Sequence, residues 1–172
     1  MGEVMTVNAS YMLDTNVFNH ICKGVVSLEI FDGKHLLATP LQIIELKKTK
    51  DPILLTKLLA TFTEIAASEV AAAFSFDIEG AGWDQGVWSG NADCAHAAFA
   101  DLKYLDQLKP KSKWPKNLSP EKENRKMVGA WNDILTAEAA KRHGAILITG
   151  DSNLLVVARK YGVLACSPKS LA

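Results

Sequence analysis

Short apolar runs alternate with helical stripes along this chain. Tyr11-Met12-Leu13 reads as the end of a buried strand running directly into Asp14-Thr15-Asn16, after which Val17, Phe18 and Ile21 fall at helical spacing. His35-Leu36-Leu37-Ala38 is a second strand. It stops at Thr39-Pro40, a pair suited to a helix N-cap and first helical position, because proline has no N–H to leave unpaired. The next helix carries Leu41, Ile44, Glu45 and Lys48, and Asp51-Pro52 restarts the pattern with Leu55, Leu58, Leu59 and Phe62 on one stripe. Residues 74–90, with Gly80, Gly82, Gly86 and Gly90 around Trp83 and Trp88, read as an irregular loop with a short strand at Phe74-Ser75-Phe76. Ala95, Phe99, Leu102 and Leu105 predict an amphipathic helix, and 109–117 a loop rich in Pro and Lys. Ser119-Pro120-Glu121 opens a helix, 131–142 is helical by pattern, and Gly144 stops it. A buried strand at 145–148, a tight turn at Gly150, a helix capped by Asp151-Ser152-Asn153 and a last strand at Val163-Leu164 complete the reading. Strands alternating with helices predict an α/β fold with a parallel sheet covered on both faces.

The length of 172 residues suits one domain, taken as 1–172 with a longer helical and loop insertion at about 67–126. A composition of 48% hydrophobic and 22% charged residues excludes a disordered or collagen-like chain. Cys22, Cys94 and Cys166 are odd in number and far apart, with no CxxC pair, which argues against disulfide stapling and a thiolate zinc site. The histidines, His20, His35, His96 and His143, lack metal-ligand spacing. With no basic-then-apolar start and no run near the ~20 apolar residues a membrane span needs, the expected setting is cytoplasmic, with no membrane partner. Gln85 stands where a GxGxxG loop needs its third glycine.

Acidic residues at strand ends carry the candidate chemistry. Asp14 and Asp151 each follow an apolar strand at the mouth of a helix, where ligands gather in open α/β sheets. Each also fits a plain helix cap. Glu45 sits among Ile43, Ile44 and Leu46, on the solvent side of its helix or buried with a partner; Lys47 and Lys48 favour a solvated face. Asp133, preceded by Asn132, falls in the first turns of the 131–142 helix, where the dipole alone favours an anion. Read together, converging carboxylates repel one another unless a cation neutralises them, and hard oxygen donors point to Mg²⁺ or Mn²⁺. The chemistry that follows is metal-assisted phosphoryl transfer.

In order, Leu13-Asp14-Thr15-Asn16-Val17, Glu45, Asn132-Asp133 with Ala137, and Ile148-Thr149-Gly150-Asp151 resemble the acidic motifs of PIN-domain ribonucleases, most closely the VapC-type toxins of toxin–antitoxin pairs. The resemblance spans residues 11–164. It implies a three-layer α/β/α sandwich around four or five parallel strands, and an Mg²⁺- or Mn²⁺-dependent endoribonuclease. Asp14, Glu45, Asp133 and Asp151 match the four acids that serve as metal ligands and catalytic groups. Asn16 matches the asparagine supporting the first acid, and Thr149 the hydroxyl residue orienting the last. A cognate antitoxin protein and a homodimer are further implications. Three departures stand out: a longer segment between Glu45 and Asp133, Asn153-Leu154 where many members carry a further acid or an aromatic, and Thr136 where an aliphatic is usual.

The formal net charge is zero, yet residues 1–100 hold 6 basic and 12 acidic side chains while 101–172 hold 13 and 7. Lys109, Lys111, Lys113, Lys116, Lys122, Arg125 and Lys126 cluster just before Asp133, where they suit a phosphate backbone or a solvated loop. Trp114 among them suits stacking on an unpaired RNA base or pinning the loop to the core. Two rival readings are a catalytically silent PIN-fold RNA-binding or scaffold protein and an aspartyl phosphatase. The second lacks the further aspartate that Asp14-Thr15-Asn16 would need as general acid.

Overall fold

The computed structural model describes residues 9–65, 68–69 and 119–171. Five parallel strands form one sheet: β1 (Ser10–Leu13), β2 (His35–Ala38), β3 (Ser68–Glu69), β4 (Ile146–Ile148) and β5 (Ala165–Cys166), in the order β3-β2-β1-β4-β5. Helix α1 (Thr15–Cys22) lies between β1 and β2 in sequence, and α2 (Pro40–Lys47) and α3 (Pro52–Ile65) between β2 and β3. Helix α4 (Pro120–Arg142) precedes β4, and α5 (Ser152–Lys160) joins β4 to β5.

Alternation within the continuous apolar strands explains the three layers. Leu13, Leu36 and Ile148 point to one face of the sheet, where they pack with Val17, Phe18 and Leu58 of α1 and α3. Met12, Leu37 and Leu147 point to the other face, against Ala130, Ile134 and Ala137 of α4 and Leu154, Val157 and Ala158 of α5. Register agrees, since Met12 is paired with both Leu37 and Leu147. The Phe18 and Phe62 rings, with centroids 5.3 Å apart, tie α1 to α3. The fold is therefore the expected α/β sandwich with a parallel central sheet.

Some expectations need revising. The helices read at Ser119-Pro120 and at 131–142 are one continuous helix, capped by the Ser119 hydroxyl and ended by Gly144 at φ 61°. Asp133 consequently lies in mid-helix, and the first-turn dipole argument for it falls away. The last strand is Ala165–Cys166 rather than Val163-Leu164. Two described parts of the expected 67–126 insertion are regular structure, namely β3 and the first turns of α4. The expected strand at Phe74-Ser75-Phe76, the helix through Ala95 and Leu105, and Trp83 and Trp88 lie outside the described residues.

Candidate active site

The strand order reverses direction at β1. From β1 the chain builds outward through β2 to β3, and β4 then pairs on the opposite side of β1. Loops leaving β1 and β4 diverge at such a switch point and leave a crevice at the strands' carboxyl ends. Asp14 follows β1 there and Thr149-Gly150-Asp151 follows β4, with the Asp14 N–H donating to the Ile148 carbonyl at 2.9 Å.

Asp14 and Asp151, alike in sequence context, are used differently. Asp151 caps α5: its Oδ1 accepts from the N–H groups of Asn153 at 2.7 Å and Leu154 at 3.2 Å. Asp14 makes no such cap to α1, although it stands at the N-cap position and is only 4% exposed. Its Oδ2 accepts instead from the Thr149 hydroxyl at 2.7 Å and from Asn16 Nδ2. The Thr149 hydroxyl oxygen accepts from the Asp151 N–H at 3.0 Å and from Asn16 Nδ2 at 3.3 Å, while Asn16 Oδ1 accepts from the Gly150 N–H at 2.9 Å. Asn16 and Thr149 thus link Asp14 to the turn at Gly150 and Asp151.

Burial pushes the Asp14 carboxyl up to about 6. The Thr149 hydroxyl pulls it down, the charge of Glu45 pushes it up, the Thr15 N–H pulls it down, and the charge of Asp151 adds a further push upward.

Glu45 is not on a freely solvated face. It is half-buried, its Oε2 accepting from the Thr15 hydroxyl at 2.6 Å and its Oε1 from Asn132 Nδ2 at 2.8 Å. This one carboxylate therefore joins α1, α2 and α4. Asp133 is half-buried on α4, immediately after the asparagine that holds Glu45. No lysine or arginine among the described residues forms an ion pair with Asp14, Glu45 or Asp151.

Four residues matter here that sequence reasoning passed over. Gln42 is fully buried; its Oε1 accepts from the Thr39 N–H at 2.5 Å and hydroxyl at 2.6 Å, and its Nε2 donates to the Leu13 carbonyl at 2.9 Å. It locks the start of α2 to the end of β1, one turn before Glu45. The signal was available, because glutamine three residues after a threonine cap is a capping-box pattern. Thr15 and Asn132 lay inside the quoted motifs without a role. His20 packs on Gly150: a Cβ added to Gly150 would stand 2.5 Å from His20 Cε1, 2.9 Å from its Nδ1 and 3.2 Å from Asn16 Oδ1. Gly150 has no left-handed φ, so this close approach, and not the expected turn geometry, accounts for the glycine.

Among the basic candidates, Lys122 and Arg125 are exposed on the first turns of α4 and Lys126 is half-buried beside them. Lys109, Lys111, Lys113, Trp114 and Lys116 lie outside the described residues.

Among the described residues no three His, Cys, Asp or Glu side chains form a ready-made ligating group. The donor chemistry nevertheless fits a divalent cation: carboxylate oxygens are hard donors, the charges of Glu45 and Asp151 raise the proton affinity of Asp14, and no lysine or arginine among the described residues pairs with these three. No family model and no curated protein matches this chain. No helix among the described residues is long and apolar enough to cross a membrane.

Proposed function

We propose that the chain is a metal-dependent endoribonuclease of the PIN-domain type, the toxin of a toxin–antitoxin pair. The observation that carries this reading is the buried, uncapped Asp14 carboxylate at the sheet's switch point, bonded to Thr149 and Asn16 and pushed upward in proton affinity by Glu45 and Asp151. Burial of an unbalanced carboxylate is costly, and sites that accept this cost are disproportionately functional.

Asp14, Glu45, Asp133 and Asp151 are the residues that would hold Mg²⁺ or Mn²⁺. When bound, the cation supplies a more acidic water and neutralises the charge of the scissile phosphodiester. The protein's own contribution is preorganisation. Thr149 and Asn16 fix one oxygen of Asp14, while Thr15 and Asn132 take one oxygen each of Glu45. Asp151 is steadied through its cap of α5. Lys109, Lys111, Lys113, Trp114, Lys116, Arg125 and Lys126 are the proposed RNA-holding surface, and an antitoxin protein and a second copy of the chain are the proposed protein partners, on the strength of the family resemblance.

Cleavage of RNA by the purified protein tests the reading. Activity is expected with Mg²⁺ or Mn²⁺, to be lost on chelation, and to fall at least a hundredfold in Asp14→Asn and in Asp151→Asn, on the order of what removing a metal ligand or its partner costs. Asparagine at 151 retains an oxygen able to cap α5, so that variant isolates the charge. Undiminished cleavage in both variants would overturn the proposal. RNA binding with no metal binding would favour the silent RNA-binding protein instead.

A further inference from the structure

One polar atom beside Glu45 stands outside the hydrogen-bond network of the site. Asn132 is 3% exposed, its Nδ2 donates to Glu45 Oε1 at 2.8 Å, and its Oδ1 is buried without a hydrogen-bond partner among the described residues. The orientation of this carboxamide is dictated by chemistry. A carboxylate can only accept, so the nitrogen must face Glu45 and the oxygen is left over. An acceptor buried in this way carries a desolvation cost, and native proteins keep such atoms mainly where a water, an ion or a ligand completes them. Nitrogen and oxygen share one small planar group, so the orphaned oxygen lies close to the nitrogen that binds Glu45.

The neighbours narrow what completes it. Glu45 brings negative charge to the crevice, Asp14 and Asp151 bring more, and no lysine or arginine among the described residues pairs with any of the three. An electron-rich ligand would be repelled there, whereas a cation or its water is attracted by both the charge and the oxygen. An uncharged carboxamide oxygen is a normal hard donor to divalent cations and adds no repulsion.

We propose that Asn132 is a further oxygen donor of the site, holding the divalent cation through Oδ1, directly or through one water, while its Nδ2 sets the orientation of Glu45. This rests on the metal-dependent reading above. It gives α4 a ligand in addition to Asp133, the acid that the family motif supplies on that helix.

A double-mutant cycle on Mn²⁺ affinity, measured by calorimetry without RNA, separates donation from positioning. The chains compared are wild type, Glu45→Ala, Asn132→Ala and the double variant, each first checked for fold by circular dichroism. If Asn132 is a donor, its removal weakens Mn²⁺ binding in the Glu45→Ala background too, by about tenfold. If it acts only by holding Glu45, its removal changes nothing in that background, and the proposal is overturned. Failure of the wild type to bind Mn²⁺ at millimolar concentration would overturn both this proposal and the metal-dependent reading, so the two failures are told apart. Should the double variant unfold, the wild type still decides. The ¹³Cγ resonance of Asn132 is expected to move as Mg²⁺ is titrated, and an unmoved resonance at saturation rejects the donor.

Discussion

The Thr149 hydroxyl donates to Asp14 at 2.7 Å in a place almost closed to water, and burial still outweighs it, leaving the carboxyl near 6 against an ordinary 3.8. A carboxyl whose folded value lies above its unfolded value binds more protons when folded. It therefore adds stability below about pH 4, and this contribution is lost as pH rises through 6. The metal-free protein should accordingly gain urea resistance as pH falls from 7.5 to 5. Asp14→Asn should remove that dependence and stabilise the metal-free chain at pH 7.5 by up to about 3 kcal/mol. Denaturant midpoints of both chains across this range provide the check. The contact between Gly150 and His20 yields a second prediction at this scale. Gly150→Ala should cost about 1–3 kcal/mol by overpacking, and His20→Ala in the same chain should restore most of it, as thermal unfolding of the pair would show. The sequence offered no sign of this contact, because it forms between residues 130 positions apart.

At the scale of elements, α2 is placed by a side chain at its first turn. Gln42 meets the Thr39 N–H and the Leu13 carbonyl, so the helix bearing Glu45 is anchored to the strand that leads to Asp14. Replacing it with leucine strands buried backbone groups at both ends, and a loss of about 2–5 kcal/mol in urea unfolding is expected. A fall in metal affinity should accompany it as Glu45 shifts. Helix α5 offers a contrasting case. Asp151→Ala should lose about 1 kcal/mol more stability than Asp151→Asn, because only alanine removes the cap that the Asp151 oxygen provides. These elements were legible as a strand, a cap and an apolar stripe. What bound them together was not, since the lone signal for Gln42 was its spacing from Thr39. Helix α4 shows the opposite limit: its two local patterns each read as a helix, and only the structure shows them joined, which moved Asp133 away from a helix end.

For the molecule as a whole, the strand order β3-β2-β1-β4-β5 brings together acids that are spread over the chain, Asp14 and Asp151 at the ends of adjacent strands and Glu45 near Asp14 from α2. Their charge, unpaired by any lysine or arginine among the described residues, predicts a large response to cations. Saturating Mg²⁺ at a hundred times its dissociation constant should stabilise the fold by about 2.7 kcal/mol. For a chain of this size that corresponds to a rise in melting temperature of roughly 5–11 °C, readable in a thermal scan with and without chelator. Asp14→Asn should blunt the response. The amino-acid sequence by itself determined the alternation of strands and helices, the buried parallel sheet and the acids at the strand ends. Strand periodicity, helix stripes and caps are properties of a few neighbouring residues and survive in a linear reading. Only the tertiary structure decided which aspartate caps its helix and which is buried against side-chain donors, that Glu45 is half-buried between Thr15 and Asn132, and that one oxygen of Asn132 has no partner among the described residues. Those outcomes depend on hydrogen bonds such as Thr149 to Asp14 and Asn132 to Glu45, which span 135 and 87 residues of chain. Their partners are selected by packing across the sheet, where local propensity carries no information.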